Sequence, residues 1–345
     1  MQKSKYFRFL ISFVAGIRFR LIILLISGAF AAGHLSGQQT GDFKPGGRPE
    51  ARIFTSFSST FEDGENHNKF DIARAYLGYS YNFSQKFSGR IVYDVADPSA
   101  GNLKFTGMLK FAYLRYQTDR WTITGGMIPL PEYDQGDRKW GFRYVYKTLH
   151  DEYGFGTSAD LGLSIGYKIS PLLSADLTIM NGEGFKLTET DSILKGAAGI
   201  TLTPAEKFSL RAYYDVMAGN KGNQHTAEFI AAYESKELSL SGAYNFRKNN
   251  NLREGHNYHG LSVNGAVSLS DRIRLFGRFD HVASVTALGG LDSWNLKKAG
   301  QLVIAGMEIG LAPGVSIAPN FQGWSAAGSG MPFVSRFSLS LDLKL

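Results

Sequence analysis

The stretch "IARAYLGYSYNF", Ile72 to Phe83, alternates strictly: Ala73, Ala75, Leu77, Tyr79, Tyr81 and Phe83 fall on one side. Arg74, Tyr76, Gly78, Ser80 and Asn82 fall on the other. Period two is the spacing of a strand with one apolar and one polar face. The pattern returns in "FSGRIVYDV" (87–95), "RIRLFGRFD" (272–280) and "FSLSLDLKL" (337–345).

Marked along the whole chain, such segments number sixteen: 51–61, 70–83, 87–96, 104–117, 120–130, 159–169, 173–181, 193–203, 208–218, 224–234, 237–247, 259–269, 272–282, 300–311, 315–324 and 333–345. Most hold 9 to 14 residues, close to the ~9–11 of a tilted strand crossing a bilayer and longer than the ~5–6 usual in soluble sheets. Tight turns (84–86, 118–119, 170–172, 204–207, 235–236, 270–271, 312–314) alternate with longer links (62–69, 97–103, 131–158, 182–192, 219–223, 248–258, 283–299, 325–332). Short turns at one end and long loops at the other predict an all-β fold, a transmembrane antiparallel up-and-down β-barrel of about sixteen strands, within 14–18. Closure follows from the solvent: in hydrocarbon an open sheet edge has no partner for its backbone groups. A large soluble β-sandwich, propeller or β-helix is the alternative.

One face of these strands is apolar, with Trp121, Tyr167, Tyr233 and Phe337 near strand ends, and is expected to meet lipid. The other face carries Arg74, Arg90, Asp94, Lys110, Asp160, Asp176, Arg211, Asp215, Glu228, Arg274, Arg278, Asp280, Glu308 and Arg336. A dry core does not accept unpaired charge cheaply, so these side chains are expected to line a water-filled lumen.

The formal charge of +7 comes largely from one end. Met1–Gly37 contains Lys3, Lys5, Arg8, Arg18 and Arg20 and no acid, leaving 32 basic against 30 acidic residues, a net +2. A basic start, the apolar run "LIILLISGAFAA" (21–32) and small residues after it read as a signal peptide, 1–37, cleaved between Gly33 and Gln38. Its twelve apolar residues fall short of the ~20 of a spanning helix, although a short anchor is the competing reading. Residues 38–50 then form a short N-terminal segment and 51–345 the barrel. Cysteine is absent, which excludes disulfides and thiolate metal sites.

The longest link, Pro131 to Ser158, follows the fifth strand and opens with "PEYDQGD" (131–137). This resembles the Pro-Glu-aromatic-Gly-Gly-Asp motif of general diffusion porins, with one residue more and Asp134-Gln135 in place of the first Gly. The "WGFRYV" that follows (140–145) and "NGEGF" (181–185) are similar to the phosphate-selective porin O/P type of Gram-negative outer membranes. The resemblance implies an outer-membrane location and a passive channel for small solutes, anions among them. It also implies an inward-folded loop that narrows the pore, assembly as a homotrimer, and recognition of the last strand by the barrel-assembly machinery. Such barrels usually end in an aromatic residue, whereas this chain ends in Leu345.

Read from its residues, the loop holds too many aromatics (Trp140, Phe142, Tyr144, Tyr146, Tyr153) to stand in water, and the spacing of Trp140, Tyr144 and Lys147 predicts a short helix over 140–153. Folded into the lumen, Arg138, Lys139, Arg143 and Lys147 would oppose Glu132, Asp134, Asp137, Asp151 and Glu152 across a narrowed passage, setting up a transverse field. The alternative is an external loop solvated by its charges and touching lipopolysaccharide.

Arg272, Arg274 and Arg278 share one face and suit oxyanions, yet lumen acids nearly match lumen bases, so at most a weak anion preference is expected. Nucleic-acid binding is excluded by the local charge balance and by export. For catalysis only Asp280-His281 with Ser284 attracts notice, and alternation sends Asp280 and His281 to opposite faces. His256 and His259 read as solvated loop residues, "NGEGF" lacks the Lys-Ser/Thr of a phosphate loop, and no cofactor or metal motif is present. A diffusion channel is thus the expected function. An anion- or phosphate-selective channel, and a barrel enzyme or adhesin with an occluded lumen, are the alternatives.

Overall fold

A computed structural model describes residues 43–345 apart from 97–105, 190–191, 220–221, 286–293 and 296–297. The expected signal peptide, 1–37, lies outside the described residues. Pro45–Leu345 forms a closed barrel of sixteen strands, each antiparallel to its sequence neighbours, with the first paired to the last. In order they are β1 Gly46–Glu62, β2 Glu65–Asn82, β3 Phe87–Ala96, β4 Thr106–Gln117, β5 Trp121–Pro129, β6 Ala159–Lys168, β7 Leu173–Met180 and β8 Lys195–Ala205. There follow β9 Phe208–Gly219, β10 Gly222–Glu234, β11 Leu238–Lys248, β12 Asn257–Ser268, β13 Ile273–Val285, β14 Gly300–Ala312, β15 Val315–Ala326 and β16 Val334–Lys344. Closure runs from Arg52 opposite Lys344 to Phe61 opposite Ser335.

The alternation decides which side chains turn outward. Leu77, Tyr79, Ile91 and Tyr93 stand exposed, whereas Phe54, Asp94, Arg278 and Asp280 are buried inside. Outward aromatics pair across strands near the tight-turn end, as Trp121 does with Tyr167, ring centroids 4.3 Å apart.

The tight turns share a local device. In five of the seven, Ser84, Thr118, Ser170, Ser235 or Ser270 accepts the backbone N–H three residues on, at 2.9–3.2 Å. A hydroxyl that satisfies an amide within the turn is why these residues recur there.

The first hairpin differs from the periodicity. β1 begins at Gly46, inside the segment read as 38–50, because Gly46–Ala51 pairs with Leu77–Asn82. The link expected at 62–69 is strand: β1 and β2 meet at Asp63-Gly64, where both φ values are positive, 50° and 80°. Asp-Gly with that geometry is the two-residue turn whose twist matches a hairpin. The polar run around it hides the pairing, since nothing there alternates toward lipid. A register shift opposite Phe54/Thr55 leaves Ala73 in a bulge, so that Phe70 and Ile72 are exposed along with Ala73.

Candidate functional site

The loop after β5 is built from two helices, α1 Pro131–Trp140 and α2 Leu149–Glu152. Pro131 stands where a missing N–H costs nothing, acids Glu132 and Asp134 occupy the first turn, and bases Arg138 and Lys139 the last. Gly141 ends α1 in the left-handed region at φ 73°, its N–H donating to the Asp137 carbonyl at 2.9 Å. The helix expected over 140–153 therefore starts nine residues earlier and ends at Trp140, with only Leu149–Glu152 helical in the rest of that range. Spacing of aromatics suggested helix where they instead reach different walls.

Trp140, Phe142, Tyr144 and Val145 bury against Phe54, Phe276, Leu302, Ile304 and Ala318 of the inner wall, Phe142 stacking on Phe276 at 4.3 Å. Leu149, Tyr153 and Phe155 pack with Tyr258 and Val282, and Tyr133 with Ile128 and Met180. Wall side chains hold the loop backbone. Arg278 donates to the Lys147 carbonyl at 2.6 Å and Tyr258 to that of Gly154 at 2.7 Å. Arg247 donates to the carbonyls of Gly154 and Phe155, and Tyr144 to Glu308 at 2.8 Å.

The loop charges are arranged otherwise than expected. Instead of opposing one another across a passage, most pair along the loop. Arg138 meets Asp134 at 2.7 Å, Arg143 meets Asp151 at 2.8 Å and Asp137 at 3.7 Å, and Lys147 meets Glu152 at 3.3 Å. Lys139 reaches out of the loop to Glu234 at the end of β10. Glu132 is buried beside His150, and burial pushes its carboxyl up to about 7 despite that cation. For His150 burial works downward, but Glu228 at 3.4 Å and Glu132 outweigh it, pushing the ring up to about 9. Asp151 also suffers from burial, yet Arg143 and Lys147 hold it down at about 2.

On the wall the expected charges face inward, but many are dry. Arg74 and Lys110 share Asp94 at 2.7 and 3.8 Å, Arg211 pairs with Asp176 at 2.7 Å, and Arg278 with Asp280 at 2.6 Å. Asp215 accepts from Tyr213 at 2.8 Å. The side chains of Asp94 and Asp280 have no exposure at all, so the expectation that every lumen charge meets water is corrected. Each ion has its partner, which is what permits burial, and the loop covers them. Others stay wet: Arg274 with Glu308 at 2.5 Å, Arg90 with Glu50 at 2.6 Å, and Arg336, whose Nε donates to Thr60 at 3.1 Å.

The sequence reading missed Arg52–Asp342, bonded at 2.7 Å, because their proximity depends on closure of β1 against β16. It also missed His150, whose Nδ1 lies 3.1 Å from Asn245, since nothing in a loop histidine announces burial. Asp280 is taken by Arg278 and not by His281. "NGEGF" is a strand-end turn: Asp160 accepts the N–H of Gly182 at 2.8 Å and of Gly184 at 3.2 Å, both glycines at positive φ.

No protein-family model matches the chain, and no curated protein matches it by sequence. Solved structures share its fold. OprB of Pseudomonas putida superposes with TM-score 0.67 at 9% identity, covering 87% of this chain and 94% of its own. OmpF of Salmonella typhi gives 0.66 at 12%, covering 86% and 97%. The outer membrane channel DcaP of Acinetobacter baumannii gives 0.61 at 12%, covering 89% and 99%. At these identities the likeness is one of fold: the chain has the sixteen-strand barrel architecture of outer-membrane proteins.

Proposed function

We propose that the chain is an outer-membrane porin through which small hydrophilic solutes diffuse, with residues 131–158 as the constriction of its lumen. One observation carries the reading: a closed barrel, apolar outside and charged inside, sends its longest loop's aromatics onto its inner wall. Water-facing charges remain beside it, among them Arg52–Asp342, Arg274–Glu308 and Lys147–Glu152. They give a polar route past an otherwise packed loop. Glu132, Asp134, Asp137, Arg138, Lys139, Arg143 and Lys147 then serve the constriction chiefly by holding the loop's shape. Export through a signal peptide and assembly as a homotrimer belong to the same reading.

A weak anion preference has its own support. Lys186, Lys298 and Arg336 lack an ion pair among the described residues. Burial and the neighbouring Arg74 and Lys147 lower the Lys186 ammonium's affinity for its proton, the mark of a crowded cationic field.

Planar-bilayer recording of the full barrel tests both points. Stepwise conductance is expected, and removing residues 138–152 should raise it severalfold. A reversal potential in a KCl gradient should show mild anion preference. Absence of steps would leave an occluded barrel, and unchanged conductance after the deletion would place the loop outside the route.

A further inference from the structure

At the long-loop end of the lumen, beside α2, lies a space of about 270 Å³ between the loop and strands β14–β16. That is just below the ~300–1,000 Å³ of ordinary small-molecule sites, so its occupant is one ring and not a chain. Three aromatic residues, Tyr146, Tyr153 and Trp324, line it, the rings of Tyr153 and Trp324 stacked with centroids 6.0 Å apart. Lys298, Arg336 and Glu152 line it as well.

Three unsatisfied features point to a ligand. Arg336 uses its Nε on Thr60, while its two Nη groups have no partner among the described residues, which leaves half the guanidinium free for an oxyanion. Lys298 adds a second cation without a counter-ion among the described residues. Glu152 is an acceptor only half used by Lys147. An aromatic acid would satisfy the cations and rings but leave the free acceptor of Glu152 unused. A free inorganic anion would leave the aromatic faces bare.

We propose that this space binds a single hydroxylated ring carrying one oxyanion, a uronic acid or a sugar phosphate, ahead of the constriction. The ring lies on Trp324, its oxyanion on Arg336 and Lys298, and a hydroxyl on Glu152. The inference deepens the channel reading by naming a class of solute, and rests on it only for the purpose of binding.

Isothermal titration of the detergent-solubilised full chain, which needs no conduction, tests it with glucuronate, glucose 6-phosphate, glucose and inorganic phosphate. Glucuronate or glucose 6-phosphate should bind at least about tenfold more tightly than glucose or phosphate, and whichever of the two leads identifies carboxylate or phosphate as the anion. Lys298→Gln, on an exposed side chain that leaves the barrel intact, should weaken the leading probe severalfold. Arg336→Gln should weaken it about tenfold. Equal binding of glucose and glucuronate, or no effect of Lys298→Gln and Arg336→Gln, would overturn the site. Conduction without this binding sinks the site alone, and binding without conduction sinks the channel alone.

Discussion

His150 is held between carboxylates from two elements, Glu132 on its own loop and Glu228 on β10, with Asn245 of β11 at its Nδ1. Because its folded value is raised from 6.5 to about 9, the stability it contributes is fully present below 6.5 and lost as pH rises through about 9. Glu132, raised from 4.5 to about 7, acts in the same direction, losing its contribution as pH rises through about 7. Asp151 is the opposite case, its contribution present above 3.8 and lost as pH falls through about 2. The loop should therefore be held best at acidic pH, above 3.8 and below 4.5, and progressively less firmly toward alkaline pH. Urea midpoints of the full barrel in micelles should fall from neutral to alkaline pH, and His150→Gln should flatten the upper part of that fall. An unchanged slope in the variant would remove His150 from the account.

Among the elements, α1 shows where the sequence could be read and where it could not. Pro131, first-turn acids, last-turn bases and Gly141 together mark a helix start and stop. The eye is drawn instead to the aromatics after Trp140, whose spacing mimics a helix while their side chains answer to Phe276, Phe54 and Tyr258 on separate strands. Those partners lie more than a hundred residues downstream in two cases, and no local pattern encodes them. Strands were legible because lipid on one side and charge on the other impose period two on each separately. The hairpin at Asp63-Gly64 was not, since outside the bilayer that constraint lapses. Gly141 is the hinge on which the helix reading can be checked. Gly141→Ala places a side chain at φ 73°, costing about 1–2 kcal/mol. Amides of the following turn, 141–146, should then exchange hydrogen about fivefold or more faster by mass spectrometry, with strand amides unaffected.

For the molecule as a whole, the ring of pairings explains why so many charges can sit inside so small a barrel. Arg278–Asp280 and Arg74–Asp94 are sealed by the loop, whereas Arg52–Asp342 joins the first strand to the last. The inside of this barrel is part packed core and part water-facing space. Alternation alone showed which residues turn inward, but which of them stay wet depended on how the loop fills the space.

The hairpin of β1 and β2 has a use of its own. Glu65–Arg74 pairs with β1 alone among the described residues, and a side chain added at Gly64 would meet nothing within 4 Å. The turn belongs to the long-loop end, which in such barrels faces the outside of the cell. It is a natural handle: a short epitope spliced between Asp63 and Gly64 should leave the barrel folded and be stained by antibody on unbroken cells. Staining only after the envelope is ruptured would mean that the barrel stands the other way up, and the same tag would then serve to follow its insertion in living bacteria.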